Sequence, residues 1–439
     1  MKALKSLLSG GALVLLLVAF LAAWVLLPWP ALLGLVALFA LWLLLTRSGR
    51  QTASVTGVGI STLTQRLGAS SVVVIGIAGV VGVLVALLAM AEGYRQTVSN
   101  SGNEHTAIIL RGGSSAELMS VLDRESITII ERAPEVARDA DGKPLASPEL
   151  VVAANLPRRD SNDEGSVTLR GVGPMAWAVR PSIRLVEGRQ LQPGRRELVV
   201  GTGAQRQFAG LDVGKSVRLG NETWDVVGVF DSGDAMASEM WADAEIVSSV
   251  YRRGSSRASV VAQLTSAKAF NAFKATLAAD PRVKVEANTT REYYAGQSEG
   301  LTKVLRIIGI VVGSIMAIGA IFGALNTMFA TVAARAREIA TLRAIGFRGL
   351  PVVVAVMLET MLLAALGGLL GGFLAWLIFN GYTASTLAGG MSQLSFEFKV
   401  TGGLLWQGLK WALAIGFIGG LFPAVRAATQ PVTDALRSA

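Results

Sequence analysis

Cysteine is missing from this chain of 439 residues, and histidine occurs once, at His105. The first absence removes disulfides and thiolate metal sites. The second removes most imidazole chemistry, and a lone histidine near an apolar run reads as a solvated loop residue. No GxSxG or HExxH pattern occurs either, so no catalytic, metal or cofactor-binding residue is expected. Acidic residues are scarce wherever the chain is apolar: outside residues 93–300 there are 5 Asp/Glu against 15 Lys/Arg, whereas inside that stretch 26 stand against 25. The net charge of +9 therefore belongs to the apolar part. Basic residues beside apolar runs mark loops on the cytoplasmic side of a membrane, and no nucleic acid is expected as a partner.

What the chain does have is apolar sequence, 52% of its residues, with a mean hydropathy of +0.51. Runs able to cross a hydrocarbon layer of about 30 Å lie at Leu7–Leu45, Ser71–Ala91, Val304–Ala330, Val352–Phe379 and Leu404–Val425. The first is broken by Pro28-Trp29-Pro30 and carries Lys2 and Lys5 before it, Arg47 and Arg50 after it. A two-span hairpin over residues 1–50 follows, both ends inside and Trp24 and Trp29 at the far interface. A secretory signal peptide fits less well, because the apolar sequence continues to Leu45 with no small-residue cleavage site at its end. Residues 51–69, apolar at Val55, Val58, Leu63 and Leu67, read as an amphipathic helix on the cytoplasmic face.

The fold class is then an α-helical membrane domain of four core spans plus the N-terminal hairpin, with an inserted α+β domain on helical stalks. Spans are expected at 70–92, 301–331, 350–382 and 404–427, the inserted domain at 93–300, a charged turn at 332–349, an outer loop at 383–403 and a tail at 428–439. Within the insert, residues 197–203, 215–230 and 256–264 read as strands, the second turning at Gly220-Asn221. Residues 116–133, 238–253 and 266–281 read as helices. From Thr302 to Gly346 nothing breaks a helix, and 45 residues would reach roughly 67 Å, beyond the membrane. Residues 290–300 before it prolong it as a stalk, and residues 90–100, after the Ser71–Ala91 run, lie alongside as a second stalk helix. Gly309 and Gly313, then Gly319 and Gly323, place small residues four apart for close helix packing, with polar Asn326 beyond them; Gly76, Gly79 and Gly82 offer the same on the preceding span. Glu359 and Lys410 sit near span ends, where snorkelling reaches polar surroundings. Ala209–Ser216 imitates a nucleotide-binding loop, but Lys215 leads into strand-like sequence rather than a helix, so a β-turn is expected and no ATP hydrolysis by this chain.

Between the second and third core spans lies RAREIATLRAIGFRG, Arg335–Gly349. On a helix Ile339, Leu342 and Ile345 make an apolar stripe, Glu338 can pair with Arg335, and Gly346 suits a left-handed end before Pro351. This run, continued through Gly372, and the closing GGLFPAVRAATQPVTDALR (Gly419–Arg437) resemble the FtsX-like permeases, the membrane subunits of MacB/LolC/LolE-type ABC transporters. The resemblance covers residues 70–439. It implies that Arg337, Glu338, Ile339, Leu342, Arg343 and Gly346 form the coupling helix on which an ATPase acts, and that the insert is periplasmic. It implies a homodimer in the bacterial inner membrane, in contact with membrane lipid and driven by two copies of a separate ABC ATPase that carries the ATP and Mg. It also implies a periplasmic adaptor, with mechanotransmission to an efflux pathway. Within the same family, lipoprotein release of the LolC/LolE kind and activation of a periplasmic hydrolase, as by FtsX, are the alternatives.

Overall fold

The computed structural model describes Trp24 and residues 28–61, 67–161, 163–387 and 393–431. The first arm of the expected hairpin, Leu63 of the expected amphipathic helix and the tail from residue 432 lie outside the described residues. In chain order the helices and strands are α1 (Trp29–Leu45), α2 (Arg47–Ser61), α3 (Leu67–Ser99), β1 (Thr106–Arg111), α4 (Arg124–Arg132), β2 (Ala146–Pro157), β3 (Glu164–Val172), α5 (Ala176–Val179), β4 (Arg184–Gly188) and β5 (Glu197–Gly201). There follow α6 (Thr202–Gln207), β6 (Ser216–Leu219), β7 (Glu222–Asp231), β8 (Glu239–Asp243), α7 (Ala244–Val250), β9 (Ser259–Gln263), α8 (Phe270–Ala279), β10 (Val285–Thr289) and α9 (Thr290–Ala334). The chain closes with α10 (Ala336–Ala344), α11 (Gly349–Phe379), β11 (Thr383–Leu387), β12 (Gln393–Glu397) and α12 (Gly402–Thr429). Two units form, a helical one (Met1–Ala89, Leu305–Asn380, Lys399–Ala439) and a sheet-rich one (Met90–Val304, Gly381–Phe398).

Among the described residues, four single helices are long and apolar enough to cross a membrane: α3 from Ser70, α9, α11 and α12. Within the helical unit, Val73, Ile77, Val81 and Val85 of α3 pack with Leu363 and Ala364 of α11 and Ala412 and Ile415 of α12. In a bilayer such contacts gain nothing from excluding water, so they depend on close approach, which small residues allow. A Cβ on Gly416 would stand 2.4 Å from that of Ala364, and one on Gly371 would stand 2.3 Å from the Ala78 carbonyl oxygen. The glycines singled out from sequence divide. Gly309 and Gly313 meet Leu84, Leu87 and Leu88 of α3, whereas Gly319, Gly323, Gly76 and Gly79 have open space where a side chain would be. Asn326 is exposed on α9.

In the helical unit several helix boundaries differ from the sequence reading, and Leu67, expected in the amphipathic helix, instead starts α3. Helix α2 starts at Arg47 rather than at 51, because Thr46 is extended and its hydroxyl accepts from the Gly49 amide at 2.9 Å, a side-chain N-cap. The α1–α2 pair bends there by 96°. Helix α9 begins at Thr290, so the stalk sequence prolongs it, but it ends at Ala334 instead of running on to Gly346.

The sheet-rich unit holds a ten-stranded mixed sheet in the order β10-β1-β9-β2-β3-β8-β5-β7-β4, with β6 paired to β7. Strand β2 joins its two parts: Ala146–Glu149 pair with β9, and Leu150–Pro157 with β3. Gly220 has φ +61°, as the first residue of a two-residue hairpin turn between Leu219 and Glu222 requires. Residues 238–253 are not one helix; Glu239–Asp243 form β8 and Asp243 then caps α7 through the Glu245 and Ile246 amides. Helix α4 likewise starts only after Asp123, so residues 116–123 are not part of it. The lysine of the nucleotide-loop look-alike follows Gly214, at φ +81°, and enters β6, which excludes a phosphate-binding helix start. The outer loop expected at 383–403 contains the β11–β12 hairpin, whose Ser395 amide donates to the Ser238 hydroxyl at 3.0 Å.

Candidate functional site: the arginine-rich turn

Helix α9 ends because Arg335 leaves helical geometry, at φ −101° and ψ +10°, with its amide shared between the Thr331 and Val332 carbonyls at 3.2 Å each. One residue later α10 starts as a separate helix. Glu338 in its first turn and Arg343 in its last both suit the helix dipole. The end is a Schellman cap: Gly346 has φ +106°, and the Phe347 amide reaches back to the Leu342 carbonyl at 3.1 Å. Pro351 sits in the first turn of α11, where its missing N–H leaves no helical bond unmade.

The charged residues of the turn do not all face water. The Arg335 side chain is 7% exposed, and its Nη1 donates to Glu359 Oε2 at 2.9 Å, itself 5% exposed. Its Nε donates to Glu338 Oε2 at 3.0 Å. Glu359 therefore does not snorkel; it is the buried partner of Arg335. At the other end of α10, Arg343 Nη1 donates to the Gln430 carbonyl at 2.5 Å, just past α12. Of the expected stripe, Ile339 is buried, Leu342 is half-buried and Ile345 is 69% exposed, so the helix turns Ile339 and Ala340 inward and leaves Ile345 out. Arg337 is exposed. Helix α2 lies beside this assembly, and with α10 and α11 it encloses a groove of about 420 Å³ lined by Val55, Val58, Arg337, Ile339, Leu342 and Val356.

Sequence reasoning found α10, its cap and the Arg335–Glu338 pair, but missed the pairing of Arg335 with Glu359 and the contribution of α2. The available signal was Glu359 itself, since a carboxylate inside an apolar run calls for a cationic partner.

A second set of buried charges occupies the sheet-rich unit. Arg170 on β3 bonds Glu117, Glu149 and Glu239 at 2.7–2.8 Å, and Arg180 bonds Glu149 at 2.5 Å. Burial pushes the Glu149 carboxyl up, but Arg180 and Arg170 outweigh it and hold the group below the ordinary carboxylate range. The Ser259 hydroxyl donates to Glu117 at 2.6 Å, and the Glu117 amide donates to the Tyr293 hydroxyl at 3.2 Å. Burial raises Tyr293 well above the usual phenol, so it stays protonated. The two guanidiniums are shared among the three carboxylates. His105 is exposed, and among the described residues no group of three or more metal-ligating side chains gathers.

Two family models match the chain: the MacB-like periplasmic core domain over residues 70–280, and the FtsX-like permease C-terminal region over residues 310–432. The chain belongs to the FtsX/MacB-type ABC permeases. This permease is 24% identical over 389 residues to the macrolide export ATP-binding/permease protein MacB of Nitrosomonas europaea, a match covering 83% of the permease and 56% of MacB. It is 32% identical over 145 residues to the uncharacterized ABC transporter permease YknZ of Bacillus subtilis, covering 31% of the permease and 34% of YknZ. The permease thus spans less than two thirds of the length of either relative. Among solved structures it is similar to the extracellular domain of YknZ from Gram-positive bacteria (17% identity, TM-score 0.33, covering 42% of the permease and all of that domain). It is also similar to the periplasmic region of MacB from Actinobacillus actinomycetemcomitans (15% identity, TM-score 0.34, covering 43% and 90%). The family and the four apolar helices make the permease a membrane protein with a periplasmic-type domain. Arg335, α10 and Glu359 fall within the FtsX-like region, whereas α1 and α2 precede both matched regions.

Proposed function

We propose that this permease is the non-catalytic membrane subunit of a MacB-like ABC exporter, and that α10 is the helix through which a separate ATPase drives it. The observation that carries the reading is the construction of α10. It is a short helix, set off from α9 by a break and ended by a glycine cap, with Arg337 and Ile345 turned outward beside an apolar-floored groove. A loop that merely kept positive charge inside would not need that order. The arginines of α2, α10 and their flanks support a cytoplasmic position for this end of the helical unit. The sheet-rich unit is then periplasmic, and the membrane is the bacterial inner membrane. ATP and Mg belong to the proposed partner, two copies of it on a homodimer of this chain. Motion at α10 passes through the spans to the periplasmic domain, which acts on a substrate delivered to a periplasmic adaptor.

The test is co-purification with the co-expressed ABC ATPase and its stimulated turnover, comparing the natural chain with the double substitution Glu338→Arg, Leu342→Asp. Loss of both binding and stimulation is expected. Unchanged binding and turnover would remove α10 from the mechanism.

A further inference from the structure

We propose that Arg335 is a positioning residue that bolts α10 to α11, and that α2 is a built-in brace for this joint. The first part stands on geometry alone; its use in ATPase coupling rests on the function proposed above.

Arg335 occupies the break between α9 and α10, so its backbone fixes where α10 begins, while its side chain is committed to Glu359, well along α11. The pair is almost fully buried, and a buried charge is tolerated only when it is paired. At the opposite end Arg343 makes an exposed hydrogen bond to the Gln430 carbonyl, just past α12. A short helix held at both ends by arginines reaching two different spans cannot tilt without carrying those spans along.

Helix α2 closes the third side. Its inward positions Thr52, Val55 and Gly59 are buried, spaced three and four apart as one helical face requires. At Gly59 the fit is tight: a Cβ would stand 3.1 Å from Glu359 Oε2 and 3.6 Å from Arg335 Nη1. A helix that only rested on a membrane surface would have no reason to bring a glycine against an ion pair. Glycine inside a helix costs about 0.5–1 kcal/mol relative to alanine, and here it permits the approach. The N-terminal segment that precedes both family-matched regions thereby gains a role, shielding the joint from water and strengthening its charge pairing.

The test uses the full chain in lipid nanodiscs without any partner, reading amide hydrogen exchange over residues 336–344. Arg335→Gln and Glu359→Gln are expected to speed exchange there about 100-fold, the equivalent of losing roughly 3 kcal/mol from a broken buried pair. Gly59→Val is expected to speed it by a smaller factor. The charge-reversed double variant Arg335→Glu, Glu359→Arg should restore much of the protection, which a chain that had simply misfolded would not do. Unchanged exchange in Arg335→Gln would overturn the bolt, and unchanged exchange in Gly59→Val would overturn the brace. A second arm measures stimulated turnover of the co-expressed ABC ATPase. Faster exchange with reduced stimulation supports both readings, whereas faster exchange with full stimulation keeps the bolt and overturns the coupling role of α10.

Discussion

The two units of this permease bury charge in opposite ways. In the sheet-rich unit two arginines and three glutamates share one network, in which Arg170 alone meets three carboxylates. Among the described residues of the helical unit the buried charge is a single pair, Arg335–Glu359, with Glu338 half exposed beside it. A network with several partners per group resists the loss of any one peripheral contact and holds its surroundings rigid. A single pair is an all-or-none fastening, suited to a joint that must hold one helix to another. The difference teaches that the sheet-rich unit ties several elements together through one network, while the helical unit fastens two helices at one point.

Four changes would break or sharpen that contrast. The largest effect is expected from Arg170→Met, which leaves Glu117, Glu149 and Glu239 with one guanidinium among them. A loss of about 3–5 kcal/mol should spread over β2, β3 and β9 as faster hydrogen exchange across the whole sheet. Exchange confined to residue 170 and its neighbours would deny that the network acts as a unit. Next comes Gly416→Leu, where a side chain would strike Ala364; overpacking of about 1–3 kcal/mol should lower the melting temperature of the detergent-solubilised chain. An unshifted melt would mean that α11 and α12 separate freely.

Gly346→Val is expected to matter less, about 1–2 kcal/mol, because only the left-handed cap is strained. Its signature is fraying confined to the Phe347 amide and the last turn of α10, and spread into α11 would contradict a local cap. The smallest effect is acid sensitivity of the sheet-rich unit. Glu149 is held below the ordinary carboxylate range when folded, so its contribution is complete above about pH 4 and lost as pH falls through its lowered value. Asp234, pushed up by burial, works the other way, its ionisation costing stability as pH rises. Glu149→Gln should therefore flatten the acid limb of the stability curve, and an identical limb in that variant would remove Glu149 as its source.

Local signals were the legible ones. Gly346 before Pro351, the alternation through β6 and β7, and the length of the four spans could all be read from neighbouring residues. Thr46 was an available N-cap that went unread, which moved the start of α2. Strand β8 was hidden because Glu239–Asp243 is buried between β3 and β5 and so lacks the alternation of a half-exposed strand, running instead into the helical pattern of α7. Among the glycines, composition could not tell Gly309, which meets α3, from Gly319, which meets nothing. Arg335 and Glu359 stand 24 positions apart, and nothing local to either one names the other.

Because the chain has no cysteine, one introduced cysteine is a unique label. The most direct test of the account places it at the exposed Lys274 (Lys274→Cys) in the proposed homodimer, reconstituted with the co-expressed ABC ATPase in nanodiscs. The spin-spin distance between the two copies is then measured with and without ATP and vanadate. The account predicts that the distance changes on trapping in this chain and stays fixed when Arg335→Gln is added, even though the ATPase still binds ATP. An equal change in both chains would contradict it.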